Sequence, residues 1–285
     1  MEDTQNTEVK TEERRCTGSA LNDLLYCRNF KSFRNGIVYL LYTEDGYPIE
    51  TTDTFLPYYT KDAIGKKQNK LISKDAGSRK ERWMIGVSVM SGCPVDCKFC
   101  ATGKLDKWRK LTAGEMVAQV KYIVEQNSNI SPLDSKEFKI NWTRMGEPFL
   151  NITEVKKAIK VISDKYPNTH HYISTIGIKG ADYSWIEGNI TLQFSVHSFD
   201  EDYRNWLIPF KGKVKLEEMG IVETASNLKT TLNLTMVRKE DFSITEMQRI
   251  FDKDKFFVKI SPINENDVSI ANEMGSGIIE QQNLI

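Results

Sequence analysis

The feature that most constrains the fold of this chain is a regular alternation of apolar and amphipathic segments that begins at Trp83. Short apolar runs of strand length are separated by stretches whose apolar residues recur with the period of a helix. This alternation predicts an α/β fold in which right-handed crossovers build a parallel sheet, closed in part as a (β/α)6 TIM-like barrel. The predicted strands are residues 84–90, 138–143, 171–176, 190–197, 231–237 and 256–263.

Two of the intervening segments carry clear helix signals. Thr112 and Glu115 have the spacing of a capping box and precede a run of apolar residues on one helical face. A second apolar face is formed by Val155, Ala158, Ile159 and Ile162. In sheets of this kind, active groups gather at the carboxyl ends of the strands, so we expect functional residues just after each apolar run.

The segment before the barrel has a different pattern. Residues 36–58 predict a β-hairpin, because apolar runs flank a turn that contains Gly46. No apolar run is long enough to predict a membrane span, and the polar N-terminus does not resemble a secretory signal, so we expect a cytoplasmic location. We divide the chain into a polar tail (1–30), a small β extension with a basic loop (31–82) and a core barrel (83–285).

Charge is unevenly distributed along a chain whose formal net charge is zero. Between Lys61 and Lys110, 13 Lys and Arg residues against 5 Asp and Glu residues give a local excess of +8. Such a segment suits the phosphate groups of a nucleic acid or nucleotide. A solvated loop with a basic bias would have the same composition, and both interpretations stay open here.

Three of the five cysteines lie within eight positions, in the segment Cys93-Pro-Val-Asp-Cys97-Lys-Phe-Cys100. A chain of 285 residues with five cysteines is not built on a disulfide framework, so the cluster indicates metal ligation in a reducing compartment. Three thiolates can hold three irons of a cubane cluster and leave the fourth iron open to another ligand.

Two alternatives to an iron–sulfur cluster stay open. Zinc prefers four tetrahedral protein ligands, and because no cysteine follows Cys100, the fourth would have to be Cys16, Cys27 or a histidine. The three cysteines could also be buried without a metal, although Gly92 and Gly103 are typical of a loop rather than a core.

The spacing C-x3-C-x2-C is the signature of the radical S-adenosylmethionine (radical SAM) superfamily. The chain resembles one branch of it, the large-subunit rRNA adenine methyltransferases of the RlmN/Cfr group, over roughly residues 36–264. Five motifs of that group occur in the same order, which implies the radical SAM type of partial barrel. They are CPVDCKFCATG from Cys93, MGEPFLN from Met145, ISTIG from Ile173, FSVH from Phe194 and SPIN from Ser261.

The resemblance implies that Cys93, Cys97 and Cys100 bind a [4Fe-4S] cluster whose open iron chelates the amino and carboxylate groups of S-adenosylmethionine. It also implies an external one-electron reductant of the flavodoxin or ferredoxin type. Reductive cleavage of the cofactor would then give a 5′-deoxyadenosyl radical that abstracts hydrogen.

Further positions correspond to cofactor contacts in the family. Glu147 suits the ammonium group of the cofactor, and Gly146 permits close approach of the backbone. Phe99 is expected to pack near the adenine. Serines at strand ends and single histidines also occur for structural reasons alone. The contacts to ribose and carboxylate match Ser174, Ser195, Val196, His197 and Asn264.

Glu50 is the candidate catalytic residue outside these motifs. Its Ile-Glu-Thr context resembles the family strand that carries a general-base glutamate. A carboxylate at this position could remove a proton from a substrate base. An ordinary exposed strand glutamate would have the same appearance in the sequence.

The chain departs from the family at the residues that carry the methyl group. No cysteine follows Cys100, and Gly86 stands where the family has the cysteine that resolves the RNA adduct. Arg144 replaces a family glycine, and a guanidinium there suits a phosphate or carboxylate. The segments before the hairpin and after Asn264 are expected to be too short for the family's RNA-contacting domain and cysteine-bearing tail.

We therefore predict an enzyme that uses the adenosyl radical directly on a substrate, which we expect to be a nucleic acid or nucleotide. Two other functions stay open. One is an RNA adenine methyltransferase with a different methyl carrier, and the other is a non-catalytic cluster protein that binds RNA or transfers electrons. An electron carrier would not need the cofactor-contact motifs.

Overall fold

The structure is a computed structural model that describes residues 11–12, 24–58 and 76–275. The described chain forms two compact units. The first unit comprises the described residues up to Ser88, together with Leu111–Arg144 and Thr153–His170. The second unit comprises Val89–Lys110, Met145–Ile152 and the described residues from His171 onward.

Strands and helices alternate only in part after Lys110, and each of the six predicted apolar runs overlaps a strand. The strands are β1 (Thr11–Glu12), β2 (Leu25–Phe33), β3 (Gly36–Thr43), β4 (Pro48–Leu56), β5 (Arg82–Gly86), β6 (Met90–Ser91), β7 (Arg109–Lys110), β8 (Glu137–Trp142), β9 (Thr169–Thr175), β10 (Ile190–Ser195), β11 (Thr230–Met236) and β12 (Phe256–Pro262). The α-helices are α1 (Ala113–Gln126), α2 (Ile152–Lys165), α3 (Glu201–Leu207), α4 (Leu216–Gly220), α5 (Ile244–Ile250) and α6 (Asp267–Ala271).

The sheet of the first unit is antiparallel from β1 to β5 and gains one parallel strand, β8. The predicted hairpin is confirmed as β3 and β4, and its turn contains Gly46 with a φ of 84°. Strand β2 begins at Leu25, inside the segment expected to be a polar tail. The strand is half-buried there, since Leu25 and Cys27 are buried while Tyr26 is exposed. Most of the predicted basic loop, residues 59–75, lies outside the described residues.

Helix α1 begins at the capping box that the sequence predicts. Thr112 Oγ1 accepts a hydrogen bond from the Glu115 backbone N–H at 3.2 Å, and Glu115 Oε2 accepts one from the Thr112 N–H at 2.8 Å. These bonds satisfy two N–H groups that have no helical partner. The helix packs on the sheet through Tyr122, whose ring meets that of Tyr39 edge-on at 5.3 Å.

The second unit contains four parallel strands in the order β9, β10, β11 and β12. One face is apolar and buried, as at Ile173, Phe194 and Leu232. The parallel sheet that the alternation predicts is therefore confirmed. Within the described ranges, no helix has the length and apolar character needed to span a membrane.

Candidate active site

The three candidate ligand cysteines lie on a loop of the second unit whose ends are joined. Strands β6 and β7 pair in antiparallel register, with Met90 opposite Lys110. This pairing closes a loop, residues 92–108, which we call the cysteine loop. Its cysteines are free, half-buried thiols at Cys93, Cys97 and Cys100.

Two glycines allow the cysteine loop to fold back on itself. Gly92 has a φ of 71°, and a Cβ atom there would lie 2.6 Å from the Cβ of Trp108. A Cβ atom on Gly103 would lie 2.8 Å from the Cα of Asp96. Side chains at either position would force the two arms of the loop apart.

The cysteine loop is anchored to an apolar cluster and to backbone partners. Cys93 and Cys97 pack against a buried group that contains Ile176, Leu207 and Ile208. The Lys98 N–H donates to the carbonyl of Leu207 at 2.9 Å. Two asparagine side chains donate hydrogen bonds to backbone carbonyls of the loop: Asn266 Nδ2 to the Phe99 oxygen and Asn272 Nδ2 to the Lys98 oxygen.

Burial and neighbouring negative charge favour the protonated form of two thiols of the cysteine loop, Cys93 and Cys97. Burial is the largest cause that raises the pKa of Cys93 to about 12, and negative charge on Glu147 and Cys100 contributes in the same direction. Burial also raises the pKa of Cys97 well above its usual value, as do Cys100 and Cys93. A bound cationic metal would reverse this preference, since metal binding releases the thiol protons.

The donor set of the cysteine loop fits an iron–sulfur cluster. A single zinc ion would draw its ligands to about 2.3 Å, whereas the thiolates of a cubane bind separate irons. Three free thiols on one loop match the three thiolate ligands that leave one iron of a cubane open. Cys27 lies on β2 in the first unit, and Cys16 lies outside the described residues.

Glu147 is a buried carboxylate whose two oxygens accept backbone hydrogen bonds. Oε1 binds the N–H of Phe149 at 3.0 Å, and Oε2 binds the N–H of Ile176 at 3.0 Å. Burial raises the pKa of Glu147 to about 7, and no Lys or Arg among the described residues lowers it. The Thr175 side chain also bonds to this carboxylate, so three donors occupy its roughly four acceptor sites and one site remains for a cationic donor.

Gly146 gives the backbone just before Glu147 a conformation that favours glycine. Its φ is 94°, and a Cβ atom there would lie 2.6 Å from the Cβ of Met90 on β6. The turn therefore packs directly on the strand that opens the cysteine loop. Both residues of the predicted amino-group site belong to the second unit, as the cysteines do.

His197 and Phe99 are in contact, with ring centroids 5.0 Å apart. His197 Nδ1 accepts a hydrogen bond from the Thr235 N–H at 3.1 Å, so the neutral ring carries its proton on Nε2. Burial, which is the larger cause, and the charge of Arg204 together lower the pKa of His197 to about 3. Next to it, the Val196 N–H already donates to the Asn233 carbonyl at 3.0 Å.

A polar row crosses the half-buried face of the parallel sheet. Ser174 Oγ donates to Gln193 Oε1 at 2.8 Å, and Asn233 Nδ2 donates to the same oxygen at 3.2 Å. Ser195 lies opposite Asn233 in the strand register. Asn264 follows β12 and is exposed.

Sequence reasoning missed Gln193 and Asn233. The signal that could have found Gln193 is the two-residue period of a strand. Gln193 precedes the predicted contact Ser195 by two positions, so the two side chains share one face of the sheet. The link between the two missed residues depends on strand register, which no single segment reveals.

Glu50 belongs to the first unit, so it is not among the residues that the second unit brings together. Its Oε2 pairs with Arg144 Nη2 at 2.6 Å, and the two side chains are 40% and 36% exposed. Gly86 lies nearby, and a Cβ atom there would be 2.3 Å from Thr52 Oγ1 and 3.9 Å from Arg144 Cδ. A cysteine at position 86 would therefore require Thr52 to move.

Residues 87–246, which contain the cysteine loop and most of the parallel strands, match the family described as the Radical SAM superfamily. The chain belongs to this superfamily. Within the superfamily it is similar to RNA methyltransferases, which confirms the predicted resemblance to the RlmN/Cfr group.

Two relatives illustrate this similarity. The chain is 34% identical over 190 residues to the probable dual-specificity RNA methyltransferase RlmN of Dictyoglomus turgidum, a match that covers 64% of this chain and 46% of the relative. It is 33% identical over 187 residues to the dual-specificity RNA methyltransferase RlmN of Nitratiruptor sp., covering 64% and 49%. The chain thus spans about half the length of the curated relatives it matches.

A solved structure shares the fold. The crystal structure of a radical SAM methyltransferase from Sphaerobacter thermophilus aligns with a TM-score of 0.63 and 22% sequence identity, covering 91% of this chain and 72% of that chain. Together with the parallel strands of the second unit, this likeness confirms the predicted α/β fold of the radical SAM type.

Proposed function

We propose that the protein cleaves S-adenosylmethionine reductively at a [4Fe-4S] cluster and that the 5′-deoxyadenosyl radical abstracts hydrogen from a substrate. The observation that carries the proposal is the position of Glu147. This buried carboxylate has no cationic partner among the described residues, and its charge acts on Cys93 and Cys97. An ammonium group beside a cluster on these thiols would satisfy it.

The chain's own residues would bind and orient the cofactor. Glu147 would accept the ammonium, and Gly146 would keep the backbone close to it. The Nε2–H of His197 would be available as a donor, while Phe99, in contact with that ring, would border the adenine. The cluster, when bound, supplies the electron that splits the sulfonium. We assign the remaining polar contacts to Ser174, Ser195, Val196 and Asn264.

Product analysis tests this function directly. Anaerobically reconstituted protein, given dithionite and S-adenosylmethionine, should release 5′-deoxyadenosine, measured by liquid chromatography with mass detection. The Cys97→Ala variant should lose cluster and product, whereas Cys27→Ala, which removes a thiol of the first unit, should keep both. Cluster-loaded protein that forms no 5′-deoxyadenosine would leave only the non-catalytic alternative.

The proposed substrate is RNA or a nucleotide. Two features support this choice: the relatives are named RNA methyltransferases, and the segment from Lys61 to Lys110 has a local charge excess of +8 and includes Trp108, which is 48% exposed. Single-stranded RNA would be held by phosphate contacts and by stacking on the exposed indole. The logarithm of affinity should then fall with the logarithm of salt by about 0.7 per phosphate neutralised. A flat salt response would contradict the nucleic-acid proposal.

The second candidate function is RNA methylation, which the names of the relatives favour. S-adenosylmethionine with a deuterated methyl group separates the two functions. Direct hydrogen abstraction should give 5′-deoxyadenosine without deuterium and methionine that keeps the label. Deuterium in the RNA would favour the methyltransferase. We propose a flavodoxin- or ferredoxin-type protein as the physiological electron donor in either case.

A further inference from the structure

Arg204 on α3 is a fully buried cation with few partners. Its Nη1 donates to the Val214 carbonyl and its Nη2 to the Ile176 carbonyl, both at 3.0 Å. Its Nε has no hydrogen-bond partner among the described residues. The nearest carboxylate is that of Glu201, which is 31% exposed and lies 3.4 Å away. Burying a charge so weakly paired costs free energy unless another anion offsets it.

A second cation lies close to Arg204. Lys213 is 8% exposed, and its Nζ donates to a neutral acceptor, Asn205 Oδ1, at 2.6 Å. Burial lowers the pKa of Lys213, and the charge of Arg204 lowers it further, while Glu201 acts in the opposite direction. Among the described residues, Glu201 is the carboxylate whose charge acts on both of these poorly exposed cations.

This positive region borders the cysteine loop. Helix α3 ends at Leu207. The Leu207 carbonyl accepts a hydrogen bond at 2.9 Å from the N–H of Lys98, which is the residue after Cys97. Cys97 packs on the apolar group that includes Leu207 and Ile176, and Ile176 is the residue that Arg204 binds. Negative charge at Cys97 would raise the pKa of both Arg204 and Lys213, so the two cations lie within electrostatic reach of that thiol.

We propose that Arg204, assisted by Lys213, offsets the negative charge of the cluster at Cys97 and makes its one-electron reduction easier. The inference rests on the proposed function, because it requires the cluster. A cluster held by three thiolates is a net anion, and an added electron increases its negative charge. A fixed cation in a poorly solvated environment stabilises the reduced form more than the oxidised form. Arg204 is therefore a positioning residue that acts through the cluster.

The test is a redox titration of the reconstituted full chain, followed by electron paramagnetic resonance. Arg204→Gln removes the charge and keeps a hydrogen-bond donor, whereas Arg204→Lys keeps the charge. The matched control is Arg249→Gln, an arginine that is 53% exposed and pairs with Glu217 and Glu246. We expect Arg204→Gln to shift the reduction equilibrium at least tenfold toward the oxidised form, about 59 mV for one electron. Arg204→Lys and Arg249→Gln should stay within a threefold change.

A second variant keeps the inference testable if Arg204→Gln fails to fold. Lys213→Gln, which breaks one hydrogen bond to Asn205, should shift the equilibrium in the same direction by a smaller factor. If Arg204→Gln folds with normal iron content, an unchanged reduction midpoint of its cluster overturns the inference. If Arg204→Gln does not fold, an unchanged reduction midpoint in Lys213→Gln overturns it. Wild-type protein that assembles no cluster would instead overturn the proposed function.

Discussion

Glu147 and Arg204 bind the two backbone groups of one residue, Ile176. Glu147 Oε2 accepts the Ile176 N–H at 3.0 Å, and Arg204 Nη2 donates to the Ile176 carbonyl at 3.0 Å. A buried carboxylate and a buried guanidinium thus both bind the backbone of the residue that follows β9. The residue after β9 therefore joins two buried charged groups beside the apolar cluster on which Cys97 packs.

Replacing Glu147 by glutamine should weaken cofactor binding without loss of iron. A charge-assisted hydrogen bond contributes about 1.5–3 kcal/mol, so S-adenosylmethionine affinity should fall roughly 10- to 100-fold. The amide also has only one acceptor oxygen for the two N–H groups of Phe149 and Ile176, which should lower the free energy of unfolding by about 1–3 kcal/mol. Anaerobic calorimetry and iron analysis measure these effects. The control is Glu187→Gln, an exposed glutamate; unchanged cofactor affinity in Glu147→Gln would refute the assigned role.

Acid should destabilise the protein in part through His197. Its folded-state pKa is about 3, below the unfolded value of about 6.5, so only the unfolded state gains a proton between these values. The free energy of unfolding should therefore decrease as pH falls below 6.5, by up to about 1.4 kcal/mol per pH unit from this residue. His197→Asn keeps an acceptor for Thr235 and tolerates the φ of 62°.

Urea unfolding between pH 7 and pH 4 checks the role of His197. The pH dependence should be shallower in His197→Asn than in the wild type, because the variant has no titratable group at position 197. Identical slopes for the two proteins would mean that His197 does not titrate as its burial requires.

Replacing Gly146 by alanine should destabilise the second unit more than the same change at Gly180. Both glycines have positive φ, 94° and 74°, which costs about 1–2 kcal/mol for a residue with a Cβ atom. At Gly180 no atom lies within 4 Å of the new Cβ, whereas at Gly146 the Cβ of Met90 is 2.6 Å away. Overpacking should add about 1–3 kcal/mol at Gly146. Thermal unfolding of both variants measures the difference, and equal losses would show that the turn does not pack against Met90.

The first unit should depend on Asp53. This buried carboxylate accepts hydrogen bonds from Arg79 Nη2 at 2.6 Å, Trp83 Nε1 at 2.8 Å and Asn127 Nδ2 at 2.9 Å. Asp53→Asn removes the charge that pairs with Arg79 and should cost about 3 kcal/mol. Asp164→Asn, which breaks an exposed pair with Lys160, should change stability by less than about 0.5 kcal/mol. Chemical denaturation compares the two, and similar small losses would show that the buried network contributes little.

The strands and the residues at their ends could be predicted from the sequence because they depend on local signals. Apolar runs of strand length locate β8 to β12, and the capping box locates the start of α1. Strand β2 was missed because its buried residues, Leu25 and Cys27, alternate with Tyr26 and Arg28 in a segment that is polar overall.

The contacts that hold the candidate site could not be predicted, because they join distant parts of the chain. Glu147 reaches Ile176, and Asn233 reaches Gln193, only after the strands have taken their register. The pairing of Glu50 with Arg144 is of the same kind, since the two residues are 94 positions apart. The sequence indicated that Arg144 could bind a carboxylate, and the structure identifies one in the same chain.

Electron paramagnetic resonance of the reduced, reconstituted protein, recorded with and without S-adenosylmethionine, measures whether one iron is free of protein thiolates. If Cys93, Cys97 and Cys100 leave that iron open, addition of the cofactor should change the spectrum, because its amino and carboxylate groups bind there. A cluster whose spectrum is the same with and without the cofactor, or tetrahedral zinc at the three thiols in X-ray absorption, would contradict the proposed chemistry.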